Sequence, residues 1–208
     1  MYNIAIFASG TGSNAAEIIR FFNQSNEGNE SGNIEKNNHT NKENAINKVT
    51  LIVTNRQNAG VLQHASSANI PTWVIDKQIW GQPKKVICFL HEKNIDFIVL
   101  AGFLWKIAPE LCAAYPNKIT NIHPSLLPKY GGKGMYGAHV HQAVLDNNET
   151  ESGVTIHYVN ENYDEGNIIL QAKCPVFPDD TVDSLSKRIQ LLELKHYKTV
   201  LFNIFNEI

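Results

Sequence analysis

The chain has 208 residues, 43% of them hydrophobic and 18% charged. At about 150 residues per domain it reads as one globular domain over 1–208, able to bury about 70% of its unfolded surface without disulfides or metal. Eighteen Lys and Arg against twenty Asp and Glu leave a net charge of −2, which argues against a dedicated nucleic-acid binder with its basic excess. No apolar run approaches the ~18 residues of a membrane span. The first apolar run, residues 4–8, is too short for a signal-peptide core, so no membrane partner and a cytoplasmic location are expected. Cys88, Cys112 and Cys174 are odd in number and far apart, which makes neither a disulfide framework nor a zinc site. Their apolar neighbours predict buried free thiols.

In chain order, residues 3–8 (NIAIFA) form a β-favouring apolar run closed by Ser9 and Gly10. Residues 13–22 place Ala15, Ile18, Ile19 and Phe22 at helical spacing. Residues 23–47 differ from the rest: nine of the twenty-five are Asn, and only Ile34, Ala45 and Ile46 are apolar. Such a stretch buries too little surface to offset its ordering entropy, so a flexible insertion between two elements is expected there. Strands are expected at 49–54, 72–75, 95–100 and 118–122, and helices at 59–68, 84–93 and 107–115. This alternation signals βαβ units and a parallel sheet.

Beyond Gly137 the pattern changes. A helix over 138–146 precedes two strands, 153–159 and 168–176, joined by the polar turn 160–167. These are expected as an antiparallel pair at the sheet edge. Residues 183–205 carry Leu185, Ile189, Leu192, Val200 and Ile204 on one side of a long closing helix. The fold class is therefore α/β, a single doubly wound, mostly parallel sheet. Ligands of such sheets bind beyond the carboxyl ends of the strands, where the strand order reverses.

Residues following strands thus matter most. Residues 9–14 read SGTGSN; glycines there let backbone N–H groups face an anion at a helix N-terminus, while Ser13 and Asn14 add neutral donors. No Lys holds the Walker position, which argues against nucleoside-triphosphate hydrolysis. A dinucleotide fingerprint would need an acidic residue ending the second strand. That strand ends instead in Thr54, Asn55 and Arg56. Arg56 could meet the 2′-phosphate of NADP, but the insertion spoils the spacing.

The fifth strand runs into NIHPSLLP at 121–128. Residues two apart in a strand share a face, so Asn121 and His123 present an amide and an imidazole side by side. Together they can hold a developing oxyanion. Asp164, in the turn Tyr163-Asp164-Glu165-Gly166, could supply a carboxylate, although Asp-x-Gly is also ordinary turn chemistry. His139, His141 and His157 are further histidines, none in a zinc-binding set, so a metal-free mechanism is expected.

Taken together, SGTGSN (9–14), VLAGF (99–103), NIHPSLLP (121–128), GVTIHYV (153–159), DEGNIILQ (164–171) and residues 190–193 occur in an order that resembles the phosphoribosylglycinamide formyltransferases, or GAR transformylases, of the folate-dependent formyltransferase family. The resemblance spans residues 3 to about 200 and implies a Rossmann-like fold. It implies attack by the amine of glycinamide ribonucleotide on the formyl carbon of 10-formyltetrahydrofolate, in purine biosynthesis. Asn121 and His123 would then hold the oxyanion, with His123 as general acid and Asp164 paired to it. Gly12, Ser13 and Asn14 would bind the phosphate and Glu193 the ribose or glycinamide end. Leu104, Trp105, Lys106, Ile107, Asn121, Asn160, Tyr163 and Asp164 would enclose the pterin. The implied partners are these small molecules, with the protein a monomer or homodimer. After Phe103 the basic residue, Lys106, stands one position from the family's. The loop 129–137 (KYGGKGMYG) is longer than in the shortest members. Its glycines and Lys133 could close over a substrate or form a surface loop.

Relatives with other acceptors carry added domains. Methionyl-tRNA formyltransferase has a C-terminal domain and formyltetrahydrofolate hydrolase an N-terminal one. The chain starts its first strand at residue 3 and ends soon after Glu193, which favours the ribonucleotide acceptor. The alternatives are a 10-formyltetrahydrofolate hydrolase and a non-catalytic phosphometabolite- or folate-binding module on the same fold.

Overall fold

A computed structural model describes residues 2–24 and 47–206 of the chain. The apolar runs and amphipathic stretches become β1 (Asn3–Phe7), α1 (Ser13–Gln24), β2 (Lys48–Thr54), α2 (Val61–Ser67), β3 (Thr72–Val74), α3 (Lys77–Trp80), α4 (Pro83–Glu92), β4 (Phe97–Leu100), α5 (Pro109–Ala114), β5 (Ile119–His123), α6 (Ala138–Asp146), β6 (Glu151–Tyr158), β7 (Ile168–Pro175) and α7 (Val182–Asn206). Of the insertion expected at 23–47, residues 25–46 lie outside the described residues. Its two ends are tied down. Val49 N donates to Asn23 Oδ1 at 3.1 Å, and Tyr2 N donates to Asn47 Oδ1 at 2.8 Å.

The strands form one seven-stranded sheet in the order β3-β2-β1-β4-β5-β6-β7. The first five are parallel, and β6 and β7 run antiparallel at the edge. Alternate residues of each strand face opposite layers. Ile4 and Ile6 pack toward Ile18 and Ile19 of α1 and Leu201 of α7, whereas Ala5 and Phe7 face Val86 and Leu90 of α4 and Leu111 of α5. Truncating a fully buried side chain such as Leu201 to Ala costs about 2–5 kcal/mol.

α7 starts at a reciprocal cap. Ser184 N donates to Thr181 Oγ1 at 3.2 Å and Thr181 N donates to Ser184 Oγ at 2.9 Å, which satisfies amides that the first helical turn leaves open. Midway along the helix, fully buried Tyr197 donates its hydroxyl to Leu100 O at 3.1 Å and sits 3.2 Å from Thr120 Oγ1. Burial pushes that phenol's pKa upward. The helix is thereby pinned across β4 and β5.

Most expected elements appear with ends moved by a residue or two. Two expectations change in kind. Short α3 was not anticipated; it is nucleated by Asp76, whose Oδ1 accepts Ile79 N–H at 2.8 Å. Of the three cysteines only Cys174 is buried, while Cys88 is exposed, because it falls on the solvent side of α4 with its thiol 3.5 Å from Glu92 Oε1.

Candidate active site

The strand order reverses between β1 and β4, which sit side by side at the centre of the sheet with their helices on opposite faces. Hydrogen bonds stitch together the loops that leave them. Ser9 N donates to Gly102 O at 3.0 Å, and Leu104 N donates to Ser9 Oγ at 3.0 Å. Beyond them opens a cleft of about 660 Å³, within the ordinary range for a small-molecule site.

At one end lies the glycine loop. Gly12 has φ +81°, and a Cβ there would come within 2.7 Å of Val61 Cβ, so both backbone conformation and the approach of α2 demand glycine. Gly12 O accepts Ala16 N–H at 2.8 Å to open α1, and the first-turn amides have no intrahelical acceptor. α7 braces this loop from outside. Asn14 Nδ2 donates to Glu193 Oε2 at 2.8 Å, across 179 positions of sequence, and Gln190 Nε2 donates to Ser13 Oγ at 3.1 Å. Burial raises the Glu193 pKa to about 7, with the Asn14 hydrogen bond acting in the opposite sense.

At the other end four groups surround the Asp164 carboxylate. His123 Nδ1 is 3.6 Å and His157 Nε2 3.7 Å from its oxygens. Gly132 N donates to Oδ2 at 2.9 Å and Asn121 Nδ2 reaches Oδ1 at 3.5 Å. Asp164 has φ +56°, a left-handed conformation that Asp tolerates better than most residues. It thus belongs to the site and is not merely turn chemistry. The His123 side chain is 5% exposed. Its Nε2 lies 2.8 Å from Tyr130 O, and since a carbonyl only accepts, Nε2 carries a proton. Nδ1 therefore faces the carboxylate.

His157 is the partner that sequence reasoning left outside the site. It stands directly opposite Asn121 in the β5–β6 register. Its Nδ1 lies 2.8 Å from Tyr158 O, so Nδ1 donates there and Nε2 is left to accept from Asn121 Nδ2 at 3.2 Å. Burial lowers the His157 pKa, outweighing the raising effects of the Tyr158 hydrogen bond and the Asp164 charge, which suits a neutral ring. The amide of Asn121 is thereby aimed. Its longer contact, to Asp164, is the weaker of the two and leaves one N–H available to a substrate oxygen.

Of the expected folate neighbours, Leu104, Asn121, Tyr163 and Asp164 line the cleft. Trp105, Lys106, Ile107 and Asn160 do not. Trp105 meets Trp80 at a tilt and Phe103 edge-on, and Ile107 is buried in the layer beneath. Lys106 sits 5.4 Å from the Tyr163 ring, and Asn160 Oδ1 accepts Asn162 N–H at 2.9 Å. Gly12, Ser13, Asn14, Glu193 and His123 all line the cleft, as do Arg56, His141 and residues 132–137 of the glycine-rich loop. That loop therefore belongs to the site. Its register on Tyr130 and Gly132 could be found only in three dimensions. Among the described residues no three His, Cys, Asp or Glu side chains group so as to hold a metal ion, and no helix is long and apolar enough to cross a membrane.

Residues 2–201 match the family described as Formyl transferase. The chain belongs to that family. It is 38% identical over 209 residues to the chloroplastic phosphoribosylglycinamide formyltransferase of Arabidopsis thaliana, covering 98% of this chain but 65% of that protein. It therefore spans just under two thirds of that relative's length. It is 32% identical to the phosphoribosylglycinamide formyltransferase of Haemophilus influenzae, over 97% of this chain and 86% of the other. Among solved structures, that of phosphoribosylglycinamide formyltransferase from Bacillus halodurans superposes with a TM-score of 0.80 at 33% identity, covering 98% of this chain and 95% of that one.

Proposed function

We propose that this chain transfers the formyl group of 10-formyltetrahydrofolate to the amine of glycinamide ribonucleotide, in purine biosynthesis. The observation that carries this reading is the cleft itself. Asn121, His123 and Asp164 meet at one end, and the glycine loop with Glu193 stands at the other. A ribonucleotide spanning those ends puts its phosphate on the open amides of Gly12, Ser13 and Asn14, its ribose beside Glu193 and its amine near Asn121. The pterin then lies along Leu104 and Tyr163, close to Asn121 and Asp164.

The amine nitrogen attacks the formyl carbon, a C–N bond forms, and the carbonyl oxygen gains the negative charge. Asn121 turns to that oxygen the N–H of its long 3.5 Å contact with Asp164 and keeps the other on His157. The bond from carbon to the folate nitrogen then breaks. His123, with a second proton on Nδ1 beside the Asp164 carboxylate, gives that proton to the departing nitrogen and regains one from the amine. Asp164 holds that ring and orders water for the exchange. Formylated ribonucleotide and tetrahydrofolate leave. No step calls for a metal. In this reading residues 1–208 act as one formyltransferase domain, monomeric or dimeric, in the cytoplasm.

A spectroscopic formyl-transfer assay with and without glycinamide ribonucleotide tests it. Tetrahydrofolate should appear only when the acceptor is present, in step with formylated product. Release without acceptor would make the protein a hydrolase, and no release at all a binding module.

A further inference from the structure

A phosphate monoester carries a charge near −1.5 to −2 at neutral pH, yet the glycine loop offers it only neutral donors. The charged side chain of α7 beside that loop, Glu193, has the wrong sign. Among the described residues, the Lys and Arg that line the cleft are Lys133 and Arg56. Lys133 follows Gly132, whose amide is held by Asp164, and so belongs to the reacting end.

Arg56 stands two residues beyond β2, the strand next to β1. Its backbone is fixed: fully buried Thr54 accepts Arg56 N–H at 3.3 Å, and Arg56 O accepts Ala59 N–H at 3.3 Å. The segment that follows is pressed onto the glycine loop. Val61 N donates to Gly10 O at 3.3 Å, and a Cβ on Gly60 would lie 2.9 Å from Thr11 O. Arg56 is exposed and, among the described residues, its guanidinium forms no ion pair. A free guanidinium on a fixed backbone, beside an anion loop that lacks a cation, is suited to bidentate contact with phosphoryl oxygens.

We infer that Arg56 is a specificity-determining residue that grips the phosphoryl oxygens of the acceptor and makes the site prefer ribonucleotide over ribonucleoside. The inference rests on the transferase reading above. Arg56→Ala should raise KM for glycinamide ribonucleotide about tenfold or more, the worth of one charge-assisted hydrogen bond, with kcat near wild type. Arg56→Lys should recover part of that loss. Glycinamide ribonucleoside, which lacks the phosphate, should react equally well with wild type and Arg56→Ala. A matched fall for both acceptors, or no fall for either, overturns the inference. Calorimetric titration with ribose 5-phosphate reads the same contact without turnover. If wild type shows no acceptor-dependent transfer, the function reading fails. The titration still decides Arg56, because binding equal to wild type in Arg56→Ala refutes it.

Discussion

His123 can act only in the geometry its neighbours impose. Tyr130 O fixes Nε2, and Asp164 lies 3.6 Å from Nδ1. His123→Ala should lower kcat by about 10²–10⁴-fold, the usual worth of a positioned acid, with little change in KM for either substrate. Steady-state kinetics check this, and near-normal kcat would remove His123 from the proton path. Glu193 has a pH signature. Its pKa rises from an ordinary 4.5 to about 7 through burial, so the folded chain holds a proton that the unfolded chain has lost. The stability due to that proton is fully present below about pH 4.5 and disappears as pH climbs through 7. Glu193→Gln should therefore melt close to wild type at pH 4.5 and above it at pH 8. Thermal melts across that range decide the matter, and a constant gap would refute the raised pKa. Asn121 and His123 were legible as a pair because two positions along a strand share a face. His157 was not, because its place opposite Asn121 depends on β5–β6 register, which nothing local specifies.

At the scale of elements, α7 does two jobs: it closes the core over β4 and β5, and it braces the glycine loop through Gln190 and Glu193. Its entry is fixed by Arg188, which reaches Asp180 at 2.7 and 2.9 Å and Pro175 O at 3.0 Å. The Arg188 guanidinium holds the Asp180 carboxyl well below its usual range, and the Asp180 side chain is 4% exposed. Arg188→Ala strands that carboxylate and should cost about 1.5–3 kcal/mol, read from urea denaturation at neutral pH. The deficit should shrink as pH falls below the ordinary carboxylate value of 3.8, where Asp180 gains a proton in the unfolded chain. A midpoint equal to wild type would mean the pair adds nothing. The amphipathic spacing of α7 was plain in the sequence. The unanticipated α3 shows the reverse case: four residues carry too little periodicity to be recognised, and a single Asp76 cap decides them.

Across the whole molecule, the cleft joins loops from β1, β4 and β5, the hairpin turn after β6, and α7. A ligand that bridges them should stabilise the entire fold. Glycinamide ribonucleotide at a hundredfold excess over its Kd should add about 2.7 kcal/mol, seen as a rise in melting temperature. An unchanged melt would exclude the cleft as the ribonucleotide site. The chain alone determined the strands, the helices other than α3, the mostly parallel sheet and the antiparallel edge pair. Apolar periods of two and of about three and a half residues are local properties, and crossover rules turn them into a doubly wound sheet. Folding alone decided the contacts: Asp164 against two histidines, Tyr130 O and Gly132 N in the same network, and Asn14 on Glu193. Strand register and the path of loops fix which distant side chains meet, and both emerge only when the layers pack together.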